Sequence, residues 1–364
     1  MRIALVVKSL VGGGAEKVLV LLAKGFQAKG HDVYVITMSG KQSDVYTLSA
    51  GINRIDIAKD ISKSNPILKN WSLINALRSA VKLSEPDVIV SFVHLVNVRT
   101  IVALFGVDIP IVVSEHTDSR LARLPFFWRV MRRLVYPFAN MLVCVSEGVA
   151  KGFSWSKNLQ VIYNPIELPS NRNINKKPSV EVKLLGGMGR FHYAKGFDLL
   201  IDAFGKISDM YPHCNLIIYG DGAERRSLEQ KVRELDLNHR ISLPGFTCNP
   251  GEGLSELDLF VVSSRWEGFC LVLVEALAQG VPCISFNCPS GPSEIIKNDY
   301  NGCLIESNDV EALADSISLL INDVNRRESY IKNGYETVGK FGLDEIVEQW
   351  EILLHSLMSS NYRF

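Results

Sequence analysis

The chain has 364 residues with 39 basic and 39 acidic side chains, a formal charge of zero, so no global field recruits nucleic acid and no such partner is expected. This length suits two domains of about 150–200 residues, each with its own core. The seven cysteines (144, 214, 248, 270, 283, 288 and 303) are odd in number and lack C-x-x-C spacing; they read as reduced, core-type thiols of a cytoplasmic protein, and no metal site is indicated.

In chain order, Met1–Val7 reads as a first strand, because Lys8 interrupts it before a signal-peptide core could form. It leads into a turn of Gly12, Gly13 and Gly14 ahead of a helix with Val18, Leu19, Leu22 and Phe26 on one face. The glycines allow a ligand close to the backbone. They lack the G-x-G-x-x-G order, and no acid ends the second strand, so a dinucleotide dehydrogenase is not supported. Strands are predicted near 2–7, 32–37, 87–92, 110–114, 141–145 and 160–163, with helices between. His116 follows the strand 110–114; a lone histidine there is more often a hydrogen-bonded structural group than a ligand contact, and Glu115 can equally hold the loop.

Between Ser119 and Pro137 lie five arginines (120, 123, 129, 132 and 133) and no acid, interleaved with Phe126, Phe127, Trp128, Met131, Leu134 and Tyr136. From Pro125 this predicts a helix with Arg129, Arg132 and Arg133 on one face. A basic aromatic helix suits a membrane surface or a phosphorylated lipid; the other reading is a surface helix whose apolar residues enter the core. The helix predicted at 67–84, with Lys69, Arg78 and Lys82, would extend the surface. No apolar run approaches the roughly 18 residues of a membrane span.

The segment 164–178, rich in proline and asparagine, resembles an interdomain linker. The α/β pattern then restarts, with strands near 182–188, 214–219, 240–243, 258–263, 282–286 and 302–305. Two doubly wound α/β domains are expected, with the ligand beyond the carboxyl ends of the strands, in the cleft between them. The strand 182–188 runs into a loop with Arg190 and Lys195, two cations suited to two phosphates. The strand 258–263 runs into Glu267 and Gly268, placed just before a helix on which Leu271, Val274, Leu277 and Ala278 recur. A helix N-terminus carries roughly half a positive charge and binds anions, so a diphosphate fits there, while Glu275 can reach another part of the same ligand.

Together with Ser114-Glu115-His116, Ser146-Glu147-Gly148, Asn164-Pro165, Gly220-Asp221-Gly222, Gly245-Phe246 and Gly291-Pro292-Ser293-Glu294, these motifs resemble the retaining GT-B glycosyltransferases of glycosyl-transferase group 1, family four. Glu267 and Glu275 match that family's Glu-x7-Glu signature, and the resemblance covers nearly the whole chain. It implies that Arg190 and Lys195 bind the donor diphosphate and that Glu275 binds the ribose. Glu267 and His116 would meet the transferred sugar. The amides of Gly268, Phe269 and Cys270 would support sugar and phosphate, and Gly13 and Gly14 would close on the donor. Cys270 stands where many relatives have glycine or proline.

The implied reaction is a metal-independent, front-face transfer from a nucleotide sugar, a UDP-sugar by this resemblance, with no cofactor. The implied acceptor is a polyprenyl-diphosphate-linked saccharide, and the enzyme would be peripheral on the inner face of the cell membrane. The expected division is 1–165 for the acceptor side, 166–342 for the nucleotide sugar and 343–364 for a helix returning to the first domain. A same-fold enzyme with a soluble acceptor and a non-catalytic sugar-nucleotide scaffold are the alternatives; a hydrolase reading lacks the G-x-S-x-G elbow.

Overall fold

Uninterrupted runs of β-branched and other apolar residues build strands that are covered on both faces, and such strands lie in parallel sheets. The computed structural model describes residues 1–40, 44–58, 69–121, 124–169, 176–247 and 250–359. It divides into two units: Met1–Glu167 together with the chain from Phe341 onward, and Leu168–Lys340.

The first unit holds β1 (Arg2–Val7), β2 (Asp32–Thr37), β3 (Asn53–Asp56), β4 (Val88–Phe92), β5 (Ile111–Glu115), β6 (Met141–Cys144) and β7 (Leu159–Val161) in the order β3-β2-β1-β4-β5-β6-β7. Every neighbouring pair is parallel. Ile3 to Val7 of β1 are completely covered. β3 has no counterpart among the predicted strands. Its four residues, Asn-Arg-Ile-Asp, contain one apolar side chain and, among the described residues, pair with β2 alone at the sheet edge, so hydrophobic patterning carries no trace of it.

The helix Leu343–Ser359 belongs to the first unit, where it lies on the helix Gly14–Ala28. It buries Ile346, Val347, Trp350, Leu353, Leu354 and Leu357. A Cβ on Gly25 would overlap the Val347 side chain, so the glycine sets how closely the two helices approach. His31 Nε2 meets Glu351 Oε1 at 2.7 Å at the flank of this contact. Within the segment read as a linker, Ile166 pairs with Gly342 as an isolated bridge; 170–175 lie outside the described residues.

The second unit holds β8 (Leu184–Met188), β9 (Asn215–Tyr219), β10 (Ile241–Gly245), β11 (Leu259–Val262), β12 (Cys283–Phe286) and β13 (Cys303–Ile305), ordered β10-β9-β8-β11-β12-β13 and all parallel. Its core joins Leu185, Leu216, Leu259 and Ile284 of the strands to Leu200, Phe204, Leu313 and Ile317 of the covering helices. In both sheets the strand order reverses beside the first strand, at β1/β4 and at β8/β11. Ligands of doubly wound sheets bind at such points, outside the carboxyl ends of the strands. Among the described residues no helix is long and apolar enough to cross a membrane.

Candidate active site

In the second unit, the loops leaving β8 and β11 meet at the switch point. The first turns at Tyr193–Lys195 and passes through Gly196, in the left-handed conformation (φ 60°), into the helix Phe197–Ile207. There the Gly196 backbone touches Ser263, whose Oγ donates to the Lys195 carbonyl at 3.1 Å. Lys195 Nζ consequently stands 2.6 Å from Glu267 Oε1, with side chains 25% and 9% exposed. Ser264 Oγ donates to the same carboxylate oxygen at 2.6 Å. Burial works against the Lys195 ammonium, but the Glu267 carboxylate outweighs it and the pKa is raised, so the amine is charged at neutral pH.

The helix Leu271–Ala278 starts directly after this pair, with half-buried Glu275 in its second turn. Phe269 and Cys270 are buried. Cys270 adopts φ 69° at the N-cap, a left-handed conformation costly for a residue with a Cβ. Burial, then the Glu267 charge, pushes its thiol well above the ordinary range, so it remains protonated. Arg190 is exposed beside the Gly189 turn.

A clamp that the sequence reading missed fixes the two loops. Arg265 grips Asp198 with two bonds of 2.9 and 2.6 Å, donates to the Tyr193 carbonyl at 2.8 Å and stacks 4.0 Å above the Tyr193 ring. Its backbone N–H donates to the Ala194 carbonyl at 2.7 Å. Nothing in the spacing of 198 and 265 marks this pair; only the fold brings it together.

In the first unit, Gly13 caps the helix Gly14–Ala28 at the carboxyl end of β1, and the space beside Gly14 is open. His116 follows β5 directly. Ser114 Oγ lies 3.0 Å from its Nε2, and the Phe92 ring centroid is 5.6 Å away. Protein packed around the imidazole pushes its pKa down to about 3, so it is neutral at physiological pH and acts as a hydrogen-bonding group rather than a proton donor.

The basic helix spans Phe126–Val135 with Pro125 as its N-cap. Its arginines do not share one face, contrary to the sequence expectation. Arg129 and Arg133 are exposed, Arg133 stacking 4.3 Å over Trp155, whereas Arg132 is buried 4.9 Å over Phe153. The i to i+3 spacing of 129 and 132 allows either arrangement; the aromatic pocket of the unit's core draws Arg132 inward. Phe126 (79% exposed), Phe127 and Leu134 (both 61%) remain outside, with Phe105 and Phe138 packed edge to face nearby. Arg78, expected to extend the basic surface, instead donates to the carbonyls of Ala103 and Phe105. Arg123, residues 67–68 and Cys248 lie outside the described residues. Among the described residues no cluster of histidine, cysteine or acidic side chains could hold a metal ion.

Residues 170–337 match the family described as Glycosyl transferases group 1, and residues 12–169 match Glycosyltransferase Family 4. Over 96% of the chain and 97% of the relative, the sequence is 27% identical to a Campylobacter jejuni enzyme, GalNAc-alpha-(1->4)-GalNAc-alpha-(1->3)-diNAcBac-PP-undecaprenol alpha-1,4-N-acetyl-D-galactosaminyltransferase. Sucrose-phosphate synthase from Thermosynechococcus elongatus superposes with a TM-score of 0.84 at 20% identity, over 98% of this chain and 99% of that one. Anabaena HepE, solved in complex with UDP, superposes with a TM-score of 0.79 at 21% identity, over 98% and 100%. The fold is the two-unit GT-B architecture.

Proposed function

The chain belongs to the group 1 glycosyltransferases, and on that premise we propose that it moves a hexose or N-acetylhexosamine from a UDP-sugar to a polyprenyl-diphosphate-linked oligosaccharide, with retention, in surface polysaccharide or glycan assembly. The observation that carries this reading is the Lys195–Glu267 pair, set at a switch point and against a helix N-terminus. UDP bound to HepE and the lipid-linked acceptor in the name of the C. jejuni relative support the donor and acceptor classes.

In the reaction so assigned, the bond from sugar C1 to the β-phosphate oxygen breaks. The acceptor oxygen bonds to C1 on the same face, and its proton passes to the departing phosphate. Lys195 and Arg190 neutralise the charge that develops on the diphosphate, and the amides of Gly268 to Cys270 add their dipoles; preorganised charge of this kind is the largest single contribution in many transfers. Glu275 binds the ribose. Gly13 and Gly14 approach the donor, and Glu267 and neutral His116 hold hydroxyls of the sugar. Lys195 is held by Glu267 until a diphosphate offers a second anionic partner.

A panel of radiolabelled nucleotide sugars, incubated with the purified protein and a membrane lipid extract, tests this function. Label is expected in the organic phase with a UDP-sugar, and NMR of the product linkage should show the anomeric configuration of the donor. Label only in water-soluble product would replace the lipid acceptor by a soluble one, and the absence of any transfer would refute the reading. Because Arg190 and Lys195 are assigned the diphosphate charge, activity is expected to persist in EDTA; its abolition would remove that assignment.

The exposed side chains of the helix Phe126–Val135 support a peripheral location on the inner membrane face. Phe126, Phe127 and Leu134 would enter the headgroup boundary while Arg129 and Arg133 meet anionic lipid. Each arginine contributes about 1 kcal/mol near such a surface, so the double change Arg129→Ser and Arg133→Ser should weaken binding to anionic vesicles by roughly 30-fold. Unchanged sedimentation with vesicles would leave this helix with no role at a membrane.

A further inference from the structure

A chain of buried polar groups lies at the carboxyl ends of β4 and β5, and none of its members has a place in the transfer just described. Ser91 Oγ donates to Asn97 Oδ1 at 2.8 Å. Asn97 Nδ2 donates to the Ser114 carbonyl at 3.0 Å, which fixes the amide orientation, and to Tyr136 Oη at 3.1 Å. The Tyr136 hydroxyl in turn donates to Glu115 Oε1. The relay from Ser91 through Asn97 and Tyr136 therefore ends at Glu115, a 1% exposed carboxyl next to His116 in the chain.

The elements packed around Glu115 each present a group to it. Tyr136 comes from the turn after the helix Phe126–Val135, and Arg132 comes from that helix itself. The helix His94–Ala103 brings Asn97; His94 at its start faces Arg132 instead, and burial and then Arg132 push its pKa down to about 4. Cys144 of β6 pairs with Glu115 across the ladder; its thiol is pushed up by burial and then by the Glu115 and Glu147 charges, and it stays neutral.

We infer that Glu115 is a positioning residue for glycosyl transfer: in its ionised form it ties the turn at Tyr136 and the helix Phe126–Val135 to the strand end that carries His116. The inference rests on the role given to His116 above. Burial raises the Glu115 pKa to about 7 against the opposing pull of Tyr136 and Arg132, so the tie tightens and loosens in the neutral range. A carboxylate accepts a stronger hydrogen bond from Tyr136 than the neutral acid and attracts Arg132 besides. The folded protein holds this proton more tightly than the unfolded chain, where the pKa is 4.5. The stability Glu115 contributes is thus complete below pH 4.5 and is lost as pH rises through about 7, so the ionised tie is held at the expense of stability.

The test compares wild type with Glu115→Gln, which keeps an acceptor for Tyr136 but cannot ionise. Wild-type kcat should rise about threefold or more between about pH 6 and about pH 8.5, while the variant should stay flat at the low value with an unchanged KM for the nucleotide sugar. Infrared difference spectra of the same proteins should show a protonated-carboxyl band in wild type that disappears over this range and is absent from the variant. A variant that keeps the wild-type pH slope, or a wild type without the titrating band, overturns the inference. A wild type that shows the band but transfers no sugar refutes the proposed function instead.

Discussion

Replacing Lys195 by alanine is expected to lower kcat/KM for sugar transfer by on the order of 100-fold or more, equivalent to about 3 kcal/mol of transition-state stabilisation. Two losses contribute. The departing diphosphate loses a cation placed before the reaction starts, and Glu267 keeps the Ser264 hydroxyl but loses its countercharge, in a site where its side chain is only 9% exposed. An uncompensated carboxylate of that kind is costly, by about 3 kcal/mol in comparable buried pairs. The two effects separate experimentally: UDP affinity and kcat should both fall even at temperatures well below the melting transition. Lys195→Arg should recover part of the loss, since it restores charge but not the compact geometry of an ammonium. Near-wild-type turnover in the alanine variant would remove Lys195 from the chemistry.

Gly196→Ala is the second change with a large expected effect, although this residue makes no contact with any assigned substrate group. At φ 60° a side chain costs about 1–2 kcal/mol, and the new Cβ would overlap the Ser263 carbonyl oxygen, a backbone atom that cannot swing aside. The loop and β11 must separate, and Lys195 moves with the loop. We expect a loss of about 2–4 kcal/mol in stability, read from denaturant unfolding, together with a fall in turnover at least as large as that of a mild Lys195 substitution. If the alanine variant melts and turns over like wild type, the contact between Gly196 and Ser263 does not hold the site.

These two residues also show what a sequence can and cannot disclose. Buried parallel strands declare themselves as apolar runs, so β8 and β11 were legible, and so were the loops that follow them. Lys195 and Glu267 were legible as chemical types at strand ends, and the resemblance in motif order assigned them to different parts of one donor; their ion pair was not foreseen. β3 was illegible because an edge strand of four mostly polar residues carries no periodic signal. The direction of Arg132 was equally hidden, since helical spacing places it on a face but does not say which face the core will claim. The Arg265–Asp198 clamp and the chain of donors ending at Glu115 join residues far apart in sequence or of ordinary type. Each is fixed by tertiary packing, and no local pattern announces it.

The return of the helix Leu343–Ser359 to the first unit makes the second unit, in topological terms, an insertion. The face of Gly14–Ala28 that accepts this helix is translated early, and its cover only after the whole of Leu168–Lys340 has been made. At about 5–20 residues per second that interval is on the order of tens of seconds. The first unit can be completed only after the second has been synthesised, and until then the face of Gly14–Ala28 stays without its cover.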